Sequence, residues 1–261
     1  MNNTPIIYLS HGGGPLPLLG EPNHQQLVET LQHLAGLIRT PKTIVMFSAH
    51  WETQDFEITA KPQPELLYDY FGFPDASYNI KYPLSGNESL SQKIAAKLKK
   101  SGLTVKLNNQ RDFDHGVFVP LKIMFPEADI QCIQISLANS LSPELHFKLG
   151  ESLRSIEEDV LFIGSGSSFH NLRHFMSPDP QTLEKNTAFH QWLDSAVSSQ
   201  SYTSRKQQLT DWQSAPNARF CHPREEHLVP LFTCMGIAGE RSAESFPVIL
   251  YGLSLSCYFW R

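Results

Sequence analysis

The chain has 261 residues, enough to bury a sizeable core in one large α/β domain or two small ones. Its 26 acidic and 21 basic residues leave a formal charge of -5, and the lysines and arginines are scattered, so a nucleic-acid partner is not expected. Apolar residues make up 41% of the chain, yet no run approaches the roughly eighteen needed for a membrane helix.

The start, Met1-Asn2-Asn3-Thr4, enters an apolar strand without the basic and apolar regions of a signal peptide, so a cytoplasmic location is expected. A first strand covers residues 5–10 and is followed directly by His11-Gly12-Gly13-Gly14. A helix is expected over 25–39, then a second strand over 43–48, with His50 two residues beyond it. Residues 61–83 form one long irregular stretch rich in aromatics, among them Tyr68, Phe73 and Tyr82; stretches of this kind commonly serve as substrate lids or walls. Equally, these rings can simply pack the loop onto the domain.

Further helices are expected over 89–100 and 117–124, the latter preceded by the turn Asp112-Phe113-Asp114-His115-Gly116. Asp114 is placed to cap that helix. A strand over 130–136, a helix over 143–157 and a strand over 160–165 follow, and Gly164-Ser165-Gly166-Ser167-Ser168-Phe169 leads to His170. After a helix over 183–198, Pro223 is placed to start another, which would put His227 one turn in, on its surface. Strands over 247–253 and 256–260 read as a hairpin at a sheet edge.

Strands alternating with helices predict a single α/β domain over 1–261, with a central, mainly parallel or mixed sheet flanked by helices. The four cysteines, Cys132, Cys221, Cys234 and Cys257, form no CxxC pair and read as free thiols in a reducing compartment. Any metal ligands therefore belong among the eleven histidines and the carboxylates. One histidine after a strand is usually a loop residue, but His11, His50 and His170 follow three strands. Ligands of open α/β sheets bind beyond the carboxyl ends of strands, so three such histidines can converge on one divalent ion, whose identity the ligand type alone does not choose. His115 adds an imidazole suited to acid/base work. His11-Gly12-Gly13-Gly14 also matches the oxyanion motif of some serine esterases, but the G-x-S-x-G elbow that fold requires is absent.

Together, Leu9-Ser10-His11-Gly12, Ser48-Ala49-His50-Trp51, Gly72-Phe73-Pro74, Asp114-His115-Gly116, Phe169-His170-Asn171-Leu172 and Glu226-His227-Leu228-Val229-Pro230-Leu231 carry a resemblance. In order and spacing the chain resembles the class III extradiol ring-cleavage dioxygenases of the LigB-like superfamily, in the subgroup similar to 4,5-DOPA extradiol dioxygenase. The resemblance implies that His11, His50 and His227 are metal ligands, with His227 where more distant relatives place a glutamate. It implies that His170 is an acid/base, and a further ligand where zinc replaces iron. His115 resembles a histidine that contacts substrate or supports the site. It further implies Fe(II) as the active metal, with Zn(II) able to occupy the site, and a catechol and O2 as substrates. Tyr68, Phe73 and Tyr82 are then expected on the substrate wall. The family more often has His-Gly-Ser-Pro after the first strand, so His11-Gly12-Gly13-Gly14-Pro15 alters the pocket wall beside the ligand. Two other classes compete: a zinc hydrolase built from the same histidines, and a non-catalytic binding protein whose histidines are satisfied by hydrogen bonds.

Overall fold

In the computed structural model, residues 4–199 and 201–261 are described. Met1 to Asn3, read above as the approach to the first strand, lie outside them. The apolar runs fold into β1 (Ile6–Ser10), β2 (Thr43–Thr53), β3 (Phe56–Thr59), β4 (Val105–Asn108), β5 (Gln131–Ala138), β6 (Val160–Gly166), β7 (Glu244–Leu250) and β8 (Leu253–Trp260). They form one mixed sheet of order β4-β3-β5-β2-β6-β1-β8-β7. The central strands β5, β2, β6 and β1 pair in parallel, while β8 joins β1 and β3 joins β5 antiparallel. The continuous apolar runs are explained by this position: β1, β6 and nearly all of β5 are buried along their whole length.

Among the described residues, nine α-helical segments flank the sheet: α1 (Gln25–Gly36), α2 (Glu88–Lys100), α3 (His115–Met124), α4 (Pro143–Leu153), α5 (Leu172–Phe175), α6 (Pro180–Ser198), α7 (Tyr202–Thr210), α8 (Ala218–Cys221) and α9 (Val229–Ala238). The five helices expected from sequence are α1, α2, α3, α4 and α6, each within a few residues of the expected bounds. No helix starts at Pro223. Pro230 instead occupies the first turn of α9, and His227 sits in the turn before it, buried rather than on a surface. The C-terminal hairpin is present, with β7 at the sheet edge and Tyr251-Gly252 as its two-residue turn; φ is +53° and +85° there, the primed geometry that suits a twisted hairpin. All four cysteines are buried free thiols. Among the described residues no helix is long and apolar enough to cross a membrane.

Candidate metal centre and active site

Three adjacent parallel strands, β2, β6 and β1, end side by side, and the histidines gather over those ends. His11 follows β1 directly. His50 lies within β2 itself, where the pairing with β5 slips between Phe47 and Glu52. Register shifts of this kind are common beside active sites. The His50 backbone is held on both sides. Its N–H donates to Ser48 Oγ and its carbonyl accepts from Arg111 Nη2. Asp114 beneath is fully buried and accepts from Ser48, Arg111 and Gln134. Its side chain makes no capping bond to α3; the helix start is served by its backbone carbonyl, which accepts from Val117 and Phe118.

His227 comes from the turn before α9. Its carbonyl accepts from Tyr8 Oη at 3.0 Å and from the Ser167 amide, which ties that turn to β1 and the end of β6. Gly164 and Gly166 allow the approach: a Cβ at Gly166 would stand 2.0 Å from the His227 carbonyl oxygen.

One nitrogen from each of His11, His50 and His227 lies within 4.8 Å of the others, and the Nε2 atoms of His11 and His50 are 3.1 Å apart. Two nitrogens bound at right angles to one ion, each about 2.1 Å away, would be about 3.0 Å apart. The opposite ring nitrogens are held from outside. Ser165 Oγ gives its single hydrogen to the Gly116 carbonyl, so it accepts from His11 Nδ1 and leaves His11 Nε2 unprotonated. His227 Nδ1 stands 2.9 Å from Glu226 Oε1, and His50 Nδ1 3.6 Å from Asp69 Oδ2. Burial first, then the neighbouring imidazoles, hold His11 and His227 well below the usual histidine range. Burial and His115 drop His50 to about 4 against the pull of Asp114 and Asp69. Neutral imidazoles with fixed outer partners are the donor set a divalent metal requires, so the residues fit such an ion.

Each of the two carboxylates spans a pair of histidines. Asp69 Oδ1 accepts from both the Nδ1 and the backbone N–H of His115, while its other oxygen faces His50. Glu226 Oε1 lies 3.0 Å from His170 Nδ1 and also serves His227; the two imidazoles stack with centroids 3.3 Å apart. Burial would raise both acids. The hydrogen bond and charge of His115 outweigh it at Asp69, and those of His170 do so at Glu226, so both are held below the usual carboxylate range. His170 stands outside that trio, but its ligand atom, with those of Glu226 and His227, forms a second group within the same 4.8 Å limit, and His50, Asp69 and His115 form a third.

His11, His50, His115, His170 and His227 line one cavity of about 330 Å³. Of the three aromatics expected on its wall, Phe73 is there, and Tyr68 and Tyr82 are not. The Tyr82 hydroxyl donates to the Leu121 and Phe125 carbonyls beside α3, and that of Tyr68 to Ile80 within the loop; both rings serve the loop's own packing. Tyr70 lines the cavity instead, set edge-on against Phe73 and His115. Tyr251 from the hairpin turn also reaches it. Tyr70 belongs to the aromatic stretch expected to form a lid or wall, whereas the sequence gives no direct sign of Asp69, Glu226 or Tyr251. The only signals were adjacency, of Glu226 to His227 and of Asp69 to the aromatic run.

The esterase alternative lacks its machinery. The Gly13 amide donates to His24 Nε2 at 3.0 Å, and the Gly12 amide faces Ser10 Oγ. The hydroxyls of Ser165 and Ser167 are spent on backbone carbonyls.

A fold of this topology with a histidine-lined cavity over its central strand ends defines a class, and the chain belongs to it: residues 3–254 match the family described as the catalytic LigB subunit of aromatic ring-opening dioxygenase. The protein is a ring-cleavage dioxygenase of that family, in its extradiol subgroup. It is 37% identical to the dioxygenase tasH of Hapsidospora irregularis, covering all of this chain and 86% of that one. It is 34% identical to the 4,5-DOPA dioxygenase extradiol of Beta vulgaris, over 92% of this chain and 89% of the relative. The crystal structure of the uncharacterized protein JW3007 from Escherichia coli K12 superposes with a TM-score of 0.80 at 26% identity, covering 99% of this chain and all of the other.

Proposed function

We propose that the protein opens the ring of a catechol beside its two hydroxyls, using O2 and one iron(II) ion held by His11, His50 and His227. The observation that carries this reading is the trio of neutral imidazoles, whose outer nitrogens are bonded to Ser165 and Glu226 at His11 and His227 and face Asp69 at His50. Bound iron(II) would supply open positions for the catechol oxygens and O2 and would let electron density pass between them. The chain's own residues would do the rest. His170, with Nδ1 on Glu226, has its Nε2 free to take a proton from a substrate hydroxyl. His115, with Nδ1 on Asp69, would hold a proton at Nε2 for the oxygen that gains charge as the ring opens. Acid/base assistance of this kind is worth about 10²–10⁴ in rate. Tyr70 and Phe73 would face the substrate ring, and the walls of the cavity would keep bulk water from it.

The test is anaerobic reconstitution of metal-free protein with Fe(II), followed by O2 uptake and near-ultraviolet to visible spectra with a panel of catechols, including DOPA. The expected result is O2 consumption with a new yellow ring-fission absorbance, lost in His50→Ala and His170→Ala. No uptake with any catechol, alongside ester or amide hydrolysis by zinc-loaded protein, would move the same histidines to a hydrolytic role.

A further inference from the structure

Resting on the dioxygenase reading, the geometry points to a substrate whose ring substituent is neutral and apolar rather than charged. The catechol end of the cavity is marked by the histidines, so its remaining wall receives whatever the ring carries. That wall is built from Leu16, Phe73, Leu172, Phe175, Met176 and Tyr251, and among the described residues no lysine, arginine, aspartate or glutamate lines the cavity. Two backbone amides beside the site are already engaged. Those of Gly12 and Gly13 face Ser10 Oγ and His24 Nε2.

The one-turn helix α5 shows how the sorting arises. Leu172, Phe175 and Met176 are spaced i, i+3 and i+4, and all three face the cavity. Arg173 and His174, between them, line the neighbouring cleft together with Arg219 and Arg224. Two of those arginines are already paired, Arg219 with Glu225 and Arg224 with Glu52. The basic side chains therefore line an adjoining cleft, which shares His170 and Leu172 with the cavity, and not the cavity itself. Leu172 and Met176 are 73% and 63% exposed at its mouth, apolar surface that a hydrophobic substituent would cover. A carboxylate or ammonium in the same place would lose water and gain no partner of opposite charge. DOPA carries both groups, and this wall answers neither.

The test compares 4-methylcatechol, 4-propylcatechol and 3-(3,4-dihydroxyphenyl)propanoate, the last two matched in carbon number, in wild-type protein, Met176→Lys and Arg173→Ala. Oxygen uptake gives kcat/KM for the Fe(II)-loaded enzyme, and anaerobic equilibrium dialysis gives binding without turnover. In the wild type, kcat/KM should rise about threefold to fourfold per added methylene. Propylcatechol should exceed the propanoate by about tenfold or more in both kcat/KM and binding. Met176→Lys should shift that ratio toward the propanoate by a similar factor of about ten. The inference is overturned if the wild type prefers the propanoate or treats the two alike. It is equally overturned if Arg173→Ala selectively abolishes use of the propanoate, because the substituent would then occupy the basic cleft. Absence of O2 uptake with every catechol would sink the dioxygenase reading instead, and the dialysis comparison alone would still decide what the cavity prefers.

Discussion

At the residue scale, the two carboxylates have different duties although each spans two histidines. Glu226 Oε1 is within 3.0 Å of both His227 and His170, so it orients a proposed ligand and a proposed base together. Asp69 is 2.8 Å from His115 Nδ1 but 3.6 Å from His50 Nδ1, so its main hold is on the proton carrier. Glu226→Gln is accordingly expected to weaken iron binding by about 10–100-fold and to lower kcat as well. Asp69→Asn should lower kcat by about 10²-fold or more while changing metal affinity little. Metal titration beside steady-state kinetics at saturating iron separates the two, and equal effects on affinity would show that the carboxylates act alike. The proposed ligands His11 and His50 could be found from position alone, because each follows an apolar run. His227 could be found only through resemblance: Pro223 suggested a helix with His227 on its surface, whereas Tyr8 and Ser167, both distant in sequence, bury its turn. Asp69 was invisible for the same reason, since its partners approach it only after the irregular loop has folded onto α3.

At the scale of elements, the seat of His227 is the contact between β6 and the start of α9. That helix, VPLFTCMGIA, is apolar on every side and wholly buried, so no amphipathic period announced it. The four-residue strands β3 and β4 were equally silent, being too short to show alternation against the background. The long parallel strands and the amphipathic helices α1, α2 and α4 were legible because their burial is periodic or continuous. Gly164 and Gly166 are what let α9 close on β6: a Cβ at Gly164 would stand 2.6 Å from Cys234 Sγ, besides the close approach at Gly166. Gly166→Ala must push the His227 carbonyl away, breaking its bonds from Tyr8 and the Ser167 amide. We expect a stability loss of about 1–3 kcal/mol by urea denaturation, accompanied by weaker metal binding. Wild-type metal affinity in a destabilised Gly166→Ala protein would show that this contact supports the fold without seating the histidine.

Across the whole molecule, buried histidines outside the cavity set the behaviour in acid. His146 is fully buried on α4, where its Nε2 accepts from the Ala138 amide and its Nδ1 donates to the Ser142 carbonyl. Protonation would destroy the bond to Ala138, and burial pushes this histidine down to about 4 against the opposing pull of the Ser142 carbonyl. His222, also fully buried, is pushed down to about 3 by burial, against the Ser168 carbonyl. Both titrate near 6.5 once unfolded, so below that pH the unfolded chain binds more protons and stability falls as pH falls. The decline starts near 6.5 and is complete for His146 only below its folded value of about 4. By pH 5 each group costs about 2 kcal/mol, a large part of the roughly 5–15 kcal/mol that holds a domain together. His146→Gln keeps a side-chain acceptor for Ala138 and a donor for Ser142 but cannot titrate. It should therefore be less stable than wild type at pH 7 yet lose about 2 kcal/mol less between pH 7 and pH 5, as read from urea midpoints at the two values. An identical drop in the two proteins would mean that His146 is not among the groups that make the fold acid-sensitive.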